Sequence, residues 1–448
     1  MQSLLQDVAT RSGRYLDGLR EREVRPDPVA VAALDAMDGE LPDGPLEPHA
    51  LIEQLDRFGS PATMAEAGPR FFGFVMGGAL PAALAADWLA AAWDQNTGLY
   101  NITPATARIE QTALRWLLEL LGLPVHCAGA FVTGATVANF VSLAAARHRV
   151  LESVGWNVEA DGLFGAPPIT VVIGAEAHPT LVKALGLLGL GRNRVVRVPV
   201  DGQGRMRVEA IPASTTPTIV CAQVGNVNTG ACDAVARIRE RVGASAWLHV
   251  DGAFGLWARV APTRAPLVAG VEQADSWATD AHKWLNVPYD CGLAFVRDPL
   301  ALSAAMAITA EYLPTDSAHR NPSDYTPELS RRARGVAVWA ALKSLGRDGV
   351  KEMIERNCAQ ARRFAEALAS SGFEILNDVT LNQVLVSFGD PERTRRVIDA
   401  LQAEGTCWCG GTVWQGRTAM RISVCSWATT DEDVERSIGA MRRVAAGS

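Results

Sequence analysis

The sequence predicts an α/β fold built on a large, mostly parallel sheet, followed by a smaller α+β region. Two observations predict it. Between about 70 and 300, short apolar, β-branched runs alternate with helix-like stretches, the pattern of strands buried on both faces between covering helices. Beyond about 335 that alternation gives way to longer amphipathic segments. A length of 448 residues is more than one core usually serves, so several packed regions are expected.

Three regions follow: an N-terminal helical arm over 1–65, a large α/β domain over 66–335 and a small C-terminal α+β domain over 336–448. The arm carries Pro26, Pro28, Pro42, Pro45, Pro48 and Pro61. These are expected to break it into short pieces that pack on something else. In the large domain the strand runs are 130–133, 169–174, 195–200, 218–224, 246–251, 276–279 and 292–296. In the small domain, helices are expected at 336–345, 351–369, 392–404 and 431–444, with strands at 384–388 and 420–424. Thr430, with Asp433 three residues on, marks the start of the last helix.

Hydrophobic residues make up 48% and charged residues 20%, which excludes a disordered chain. The net charge is −7 with no block of Lys or Arg, so neither nucleic acid nor an anionic membrane is an expected partner. The apolar stretch 79–92 is interrupted by Pro81 and Asp87, and the first residues lack a basic-then-apolar layout. A cytoplasmic protein is expected. The eight cysteines are scattered, and Cys407 and Cys409 have no second pair at metal-ligand spacing. Reduced thiols and no metal are expected.

In open α/β sheets, ligands bind at the carboxyl ends of strands, which singles out the residues just after each run. The first such place is V-T-G-A-T-V-A-N, 132–139, where a strand ends at Thr133 and a helix is expected near Val137. Small residues there let backbone N–H groups approach an anion, as the helix dipole favours. Next comes His178, whose flat ring can stack on a planar cofactor. In H-V-D-G-A-F, 249–254, Asp251 closes a strand and small Gly252 and Ala253 leave room for a ring. A carboxylate there would keep a pyridine nitrogen protonated. In T-D-A-H-K-W-L, 279–285, Lys283 follows a strand among apolar neighbours, where burial favours the free amine that imine formation needs. Each feature alone also fits an ordinary cap, turn or surface residue. Together, in chain order, they supply an anion anchor, a stacking ring, a carboxylate and an amine, which is what pyridoxal 5′-phosphate requires.

These residues resemble the group II pyridoxal-dependent amino acid decarboxylases, a family that includes aromatic-L-amino-acid and glutamate decarboxylases. The likeness runs from about Arg70 to Met441. Its most specific parts are H-V-D-x-A at Asp251 and H-K-W at Lys283, supported by F-F-G-F (71–74), T-P-A (103–105), R-R-A-R (331–334) and C-S-W (425–427). The resemblance implies a type I aminotransferase-like fold and a homodimer with its site at the interface. It implies that Lys283 is the Schiff-base lysine, that Asp251 pairs the pyridine nitrogen and that His178 stacks on the ring. Ala135 and Thr136 would bind phosphate with His282 nearby, and Ala253 would lie on the ring's other face. Tyr312, 29 residues beyond Lys283 in A-E-Y-L-P, matches the tyrosine that protonates the substrate carbon. Arg421 matches an arginine near the substrate carboxylate. Phe72 and Phe74, with Phe71, Trp93 and Tyr100, lie where the family builds its side-chain pocket, which favours an aromatic or apolar amino acid over an acidic one.

Three positions depart from the family pattern. Asp280 stands in place of the usual Asn, and the expectation is that it points away from the phosphate or acts through water. Val137 replaces an acid in the anion turn, and Asn226 replaces a hydroxyl near the cofactor.

Overall fold

The computed structural model describes residues 1–213, 217–308 and 319–447. Its larger sheet has seven strands: β1 (Ala128–Val132), β2 (Thr170–Gly174), β3 (Val196–Val198), β4 (Thr218–Gln223), β5 (Trp247–Asp251), β6 (Ser276–Asp280) and β7 (Gly292–Val296). Their order is β1-β7-β6-β5-β4-β2-β3. β7 runs antiparallel to β1 and β6, and the other pairs are parallel. All seven runs expected from the sequence are strands, each shifted by at most a few residues.

The runs are continuous and apolar because both faces of this sheet are covered. Ala130, Val132, Val171, Ile173, Ile219, Ala278 and Ala294 pack on one side against Ala138, Val141 and Ala145 of the helix Ala135–Glu152. Their sequence neighbours Phe131, Val172, Val220, Trp277, Leu293 and Phe295 pack on the other, with Leu114 and Leu117 of the helix Pro104–Leu121. This is the two-residue period of a strand read on both faces. Because β2, β4, β5 and β6 are parallel, their carboxyl ends open on one edge of the sheet.

The second sheet is antiparallel: β8 (Glu374–Ile375), β9 (Gln383–Ser387), β10 (Gly410–Trp414) and β11 (Arg417–Ser423), in the order β10-β11-β9-β8. Its core joins Val384, Val386, Met420 and Ile422 to Phe364, Val397, Val434 and Ile438 of three helices. The helix Gly335–Ser370 is broken at Gly346, whose φ of 60° and ψ of −177° suit glycine, so it is the expected pair of helices in one span. Thr430 caps the helix Asp431–Ala446 in a complete capping box with Asp433.

The arm differs from expectation in how it uses proline. Pro28 and Pro48 each start a helix (Pro28–Ala32 and Pro48–Ala62) at the first turn, where no N–H is needed, and Pro61 lies within the last turn of the second. No residue of Gln2–Gly18 or Pro48–Ala62 is buried. No helix among the described residues is long and apolar enough to cross a membrane.

Candidate active site

β6 ends at Asp280, and one helical turn, Ala281–Trp284, follows. Three tryptophans pin this turn. Trp284 is fully buried and its Nε1 donates to Asn357 Oδ1 at 3.0 Å, while Trp257 Nε1 donates to the Asp280 carbonyl at 3.0 Å. Beyond the turn, Asn286 Nδ2 donates to the Cys425 carbonyl at 3.1 Å, and Asn286 Oδ1 accepts from the amide of Trp427 at 2.8 Å. With Ala281 and Trp284 facing the core, Lys283 is left facing the open edge of the sheet.

A cavity of ≈ 700 Å³ lies at that edge. Gly134, Ala135 and Thr136 after β1, His178 after β2, and Asp251 and Ala253 after β5 line it. So do Asp280, His282 and Lys283 after β6, Arg421 from β11 and Phe74 from the segment before the first sheet. The four separated motifs therefore meet in one place.

Asp251 is fully buried, and burial pushes its carboxyl above the ordinary range, opposed by His178, Lys283 and a hydrogen bond from Asn139. Asn139 Nδ2 donates to Asp251 Oδ2 at 3.3 Å, and the Ala253 amide donates to Oδ1 at 3.3 Å. Behind Asn139 stands His249, with Nε2 at 2.8 Å from Asn139 Oδ1 and Nδ1 at 2.9 Å from Ser276 Oγ. Trp247 Nε1 donates to the same Oγ at 2.8 Å. Burial lowers His249 to about 3, so the ring is neutral. Only one proton arrangement satisfies the chain: Trp247 to Ser276, Ser276 to His249 Nδ1, His249 Nε2 to Asn139, and Asn139 to Asp251. Sequence reasoning missed Asn139 and His249 in this role. The available signal was that His249 and Asp251 are two apart on one strand and so share a face.

His178 is the N-cap of the helix Pro179–Leu187, and its Nδ1 accepts from the Thr180 amide at 3.3 Å. Burial lowers its pKa, opposed by Asp251, so the ring is neutral with its proton on Nε2. His282 Nδ1 accepts from the Cys291 amide at 3.1 Å, and burial lowers this pKa as well. Lys283 does not sit in an apolar slot: its Nζ is 2.9 Å from Asp280 Oδ2. Asp280 turns toward the anion turn: its Oδ1 accepts from the Ala135 amide at 2.6 Å. The helix there starts at Ala135, two residues before the expected Val137.

A model of the pyridoxal-dependent decarboxylase conserved domain matches residues 32–389. The chain belongs to this family. It is a pyridoxal-phosphate-dependent carboxy-lyase acting on an amino acid, with the type I fold of such enzymes. Its relatives include tryptophan decarboxylase 1 of Oryza sativa subsp. japonica, 28% identical over 80% of this chain and 77% of the relative. L-2,4-diaminobutyrate decarboxylase of Rhizobium meliloti is also 28% identical, over 97% and 87%. Among solved structures, Oryza sativa TDC with PLP and tryptamine superposes with a TM-score of 0.91 at 24% identity, covering 100% of this chain and 97% of that one.

The decarboxylase's cavity suits a phosphorylated pyridine ring by the chemistry of its donors. One wall is a carboxylate held at the end of a hydrogen-bonded chain. Another is a helix start with small residues, and the only amine among the described residues of the lining is Lys283. Gly292 keeps the helix start in place, since a Cβ there would fall 2.5 Å from the backbone of Gly134.

Two expected site residues lie elsewhere. Asn226 does not line the cavity: its Nδ2 donates to Gln223 Oε1 at 3.0 Å and its Oδ1 accepts from the amides of Asn228 and Thr229, so the side chain is used up in its own loop. Phe72 is buried in the C-terminal core, edge-on to Phe364 with centroids 5.1 Å apart. Of the other aromatic residues, Phe71 is buried against Trp408, Trp93 is exposed and Tyr100 stacks on His319. Phe74 is 58% exposed at the cavity and stacks on Trp408 at 5.5 Å. Tyr312 lies outside the described residues.

Proposed function

We propose that the decarboxylase releases the amine of an aromatic L-amino acid, with Lys283 as the lysine that binds the cofactor covalently. One observation carries this reading: Lys283, Asp251, His178 and the Gly134–Thr136 turn all line a single cavity, although they come from four different strand ends. Asp251 would hold a proton on the pyridine nitrogen. His178 and Ala253 would flank the ring, and Ala135, Thr136 and His282 would take the phosphate. Pyridoxal phosphate, when bound, supplies the sink for the electron pair left as CO₂ departs.

The protein's own groups do the rest. Arg421, a partly buried side chain that lines the cavity, would hold the substrate carboxylate. Tyr312 would protonate the substrate α-carbon, with the neutral His178 as relay. The aromatic preference is supported by Phe74 at the cavity mouth, stacked on Trp408, and by the tryptophan decarboxylase among the relatives. The diaminobutyrate decarboxylase at equal identity and an acidic amino acid decarboxylase of Homo sapiens at 29% make a basic or an acidic substrate the competing readings.

We also propose a homodimer, supported by Leu5, Leu16, Leu51 and Leu55, which the arm exposes. A cytoplasmic location is supported by eight free cysteines. The division at 65 and 335 into arm, cofactor domain and C-terminal domain is part of the same proposal.

The test is a panel of tryptophan, tyrosine, phenylalanine, glutamate and 2,4-diaminobutyrate, with amine, CO₂, aldehyde and hydrogen peroxide measured. Amine and CO₂ from an aromatic substrate are expected. Amine from diaminobutyrate alone overturns the substrate class. Aldehyde with peroxide and no amine overturns the assignment of Tyr312 as proton donor.

A further inference from the structure

We propose that Asp280 is a resident anion on the phosphate end of the site, which the cofactor must displace, and that it sets how weakly the phosphorylated cofactor binds. This rests on the reading above that the Gly134–Thr136 turn takes the phosphate.

Ala135 is the first residue of the 18-residue helix Ala135–Glu152, so its N–H is one of the unpaired donors of a helix start. That N–H is already used. Asp280 Oδ1 accepts it at 2.6 Å, a charge-assisted hydrogen bond from a side chain that is only 3% exposed. The other oxygen, Oδ2, lies 2.9 Å from Lys283 Nζ and 3.6 Å from His282 Nε2. One carboxylate therefore spans the amide, the imidazole and the amine.

The turn is closed around it. A Cβ on Gly134 would lie 3.3 Å from His282 Cε1 and 3.6 Å from Asp280 Oδ1. A phosphate oxygen within hydrogen-bond reach of the Ala135 amide would touch the Asp280 carboxylate. His282 offers a single N–H to share between them, because its Nδ1 is already an acceptor for Cys291. Two anions competing for the same few donors repel each other. The carboxylate must turn away from Ala135 before phosphate can take that amide.

The consequence is specific to phosphate. Pyridoxal without its phosphate still reaches Lys283 but does not compete for the Ala135 amide. Removing the negative charge should therefore raise the preference for pyridoxal phosphate over pyridoxal, whatever loss of the Lys283 ion pair does to both.

The experiment measures dissociation constants of both compounds by equilibrium dialysis for the full-length apoprotein, Asp280→Asn and Asp280→Ala. Thermal melting verifies that each variant is folded. The expected result is that the ratio of pyridoxal to pyridoxal phosphate dissociation constants rises about tenfold or more in both variants. Asp280→Ala separates loss of charge from any new hydrogen bond made by Asn. A ratio that stays the same or falls in both variants, with wild type binding pyridoxal phosphate normally, overturns the role of Asp280 and leaves the cofactor reading standing. Failure of wild type to prefer pyridoxal phosphate over pyridoxal at all overturns the phosphate reading of the turn, and this inference with it.

Discussion

His249 Nε2 lies 2.8 Å from Asn139 Oδ1, and through that contact a buried strand histidine supports Asp251, the carboxylate that faces the cavity. Asn139 is the only side chain that donates to Asp251 among the hydrogen bonds of the described residues. Its loss leaves Asp251 short of a charge-assisted bond worth about 1.5–3 kcal/mol. Asn139→Ala is expected to lower kcat/KM roughly 10- to 100-fold, while Asn139→Gln recovers part of the loss. Steady-state kinetics with cofactor saturation decide it, and equal activity of Ala and wild type would remove Asn139 from the account.

The same histidine gives a pH signature. Unfolded, His249 titrates near about 6.5; folded, burial holds it at about 3. Between those values the unfolded chain binds the extra proton, so this group's contribution is present above about 6.5 and is lost as pH falls toward 3. The full difference is on the order of 5 kcal/mol. Urea denaturation of wild type and His249→Gln across that window is expected to show a flatter stability profile in the variant. Parallel profiles would mean that His249 does not titrate on unfolding.

Phe74 should set substrate affinity and leave the chemistry alone. An aromatic contact at a half-open position is worth about 0.5–1.5 kcal/mol. Phe74→Ala is expected to raise KM for an aromatic substrate about fivefold, with kcat within about twofold. An unchanged KM would place the side-chain pocket elsewhere.

The joint between the segment at Arg70 and the last helix rests on a buried ion pair. Arg70 is 1% exposed, with its guanidinium 3.3 Å from Asp433 Oδ1 and its Nε donating to the Thr406 carbonyl at 2.7 Å. Asp433 also completes the capping box with Thr430. Asp433→Ala leaves the guanidinium buried and uncompensated, at a cost of about 3–5 kcal/mol. A fall in denaturation midpoint of that size is expected, and a change below about 1 kcal/mol would contradict it.

The large sheet was legible because strands buried on both faces are apolar throughout, as in β7, G-L-A-F-V. β10, G-G-T-V-W, was not: its two glycines and alternating exposure carry no continuous run. β8, with two residues, is too short to leave a pattern. At the site, strand ends could be read one by one, but contacts across the fold could not. Asn139 and His249 meet across 110 residues. Phe72 and Phe74 look alike in sequence. Bonds across the fold, from the Phe72 amide to the Trp408 carbonyl at 2.8 Å and from the Ser423 amide to the Phe72 carbonyl at 2.9 Å, hold Phe72 in the core while Phe74 stays at the cavity. For Asp280, charge alone argues for repulsion from a phosphate, whereas its contacts with the Ala135 amide and Lys283 exist only in the folded chain.

The most direct test of the account is borohydride reduction of the enzyme after loading with pyridoxal phosphate, followed by peptide mass spectrometry. A phosphopyridoxyl group is expected on Lys283 alone, lost in Lys283→Ala together with the absorbance of the bound cofactor. The group on another lysine, or retained in Lys283→Ala, would contradict it.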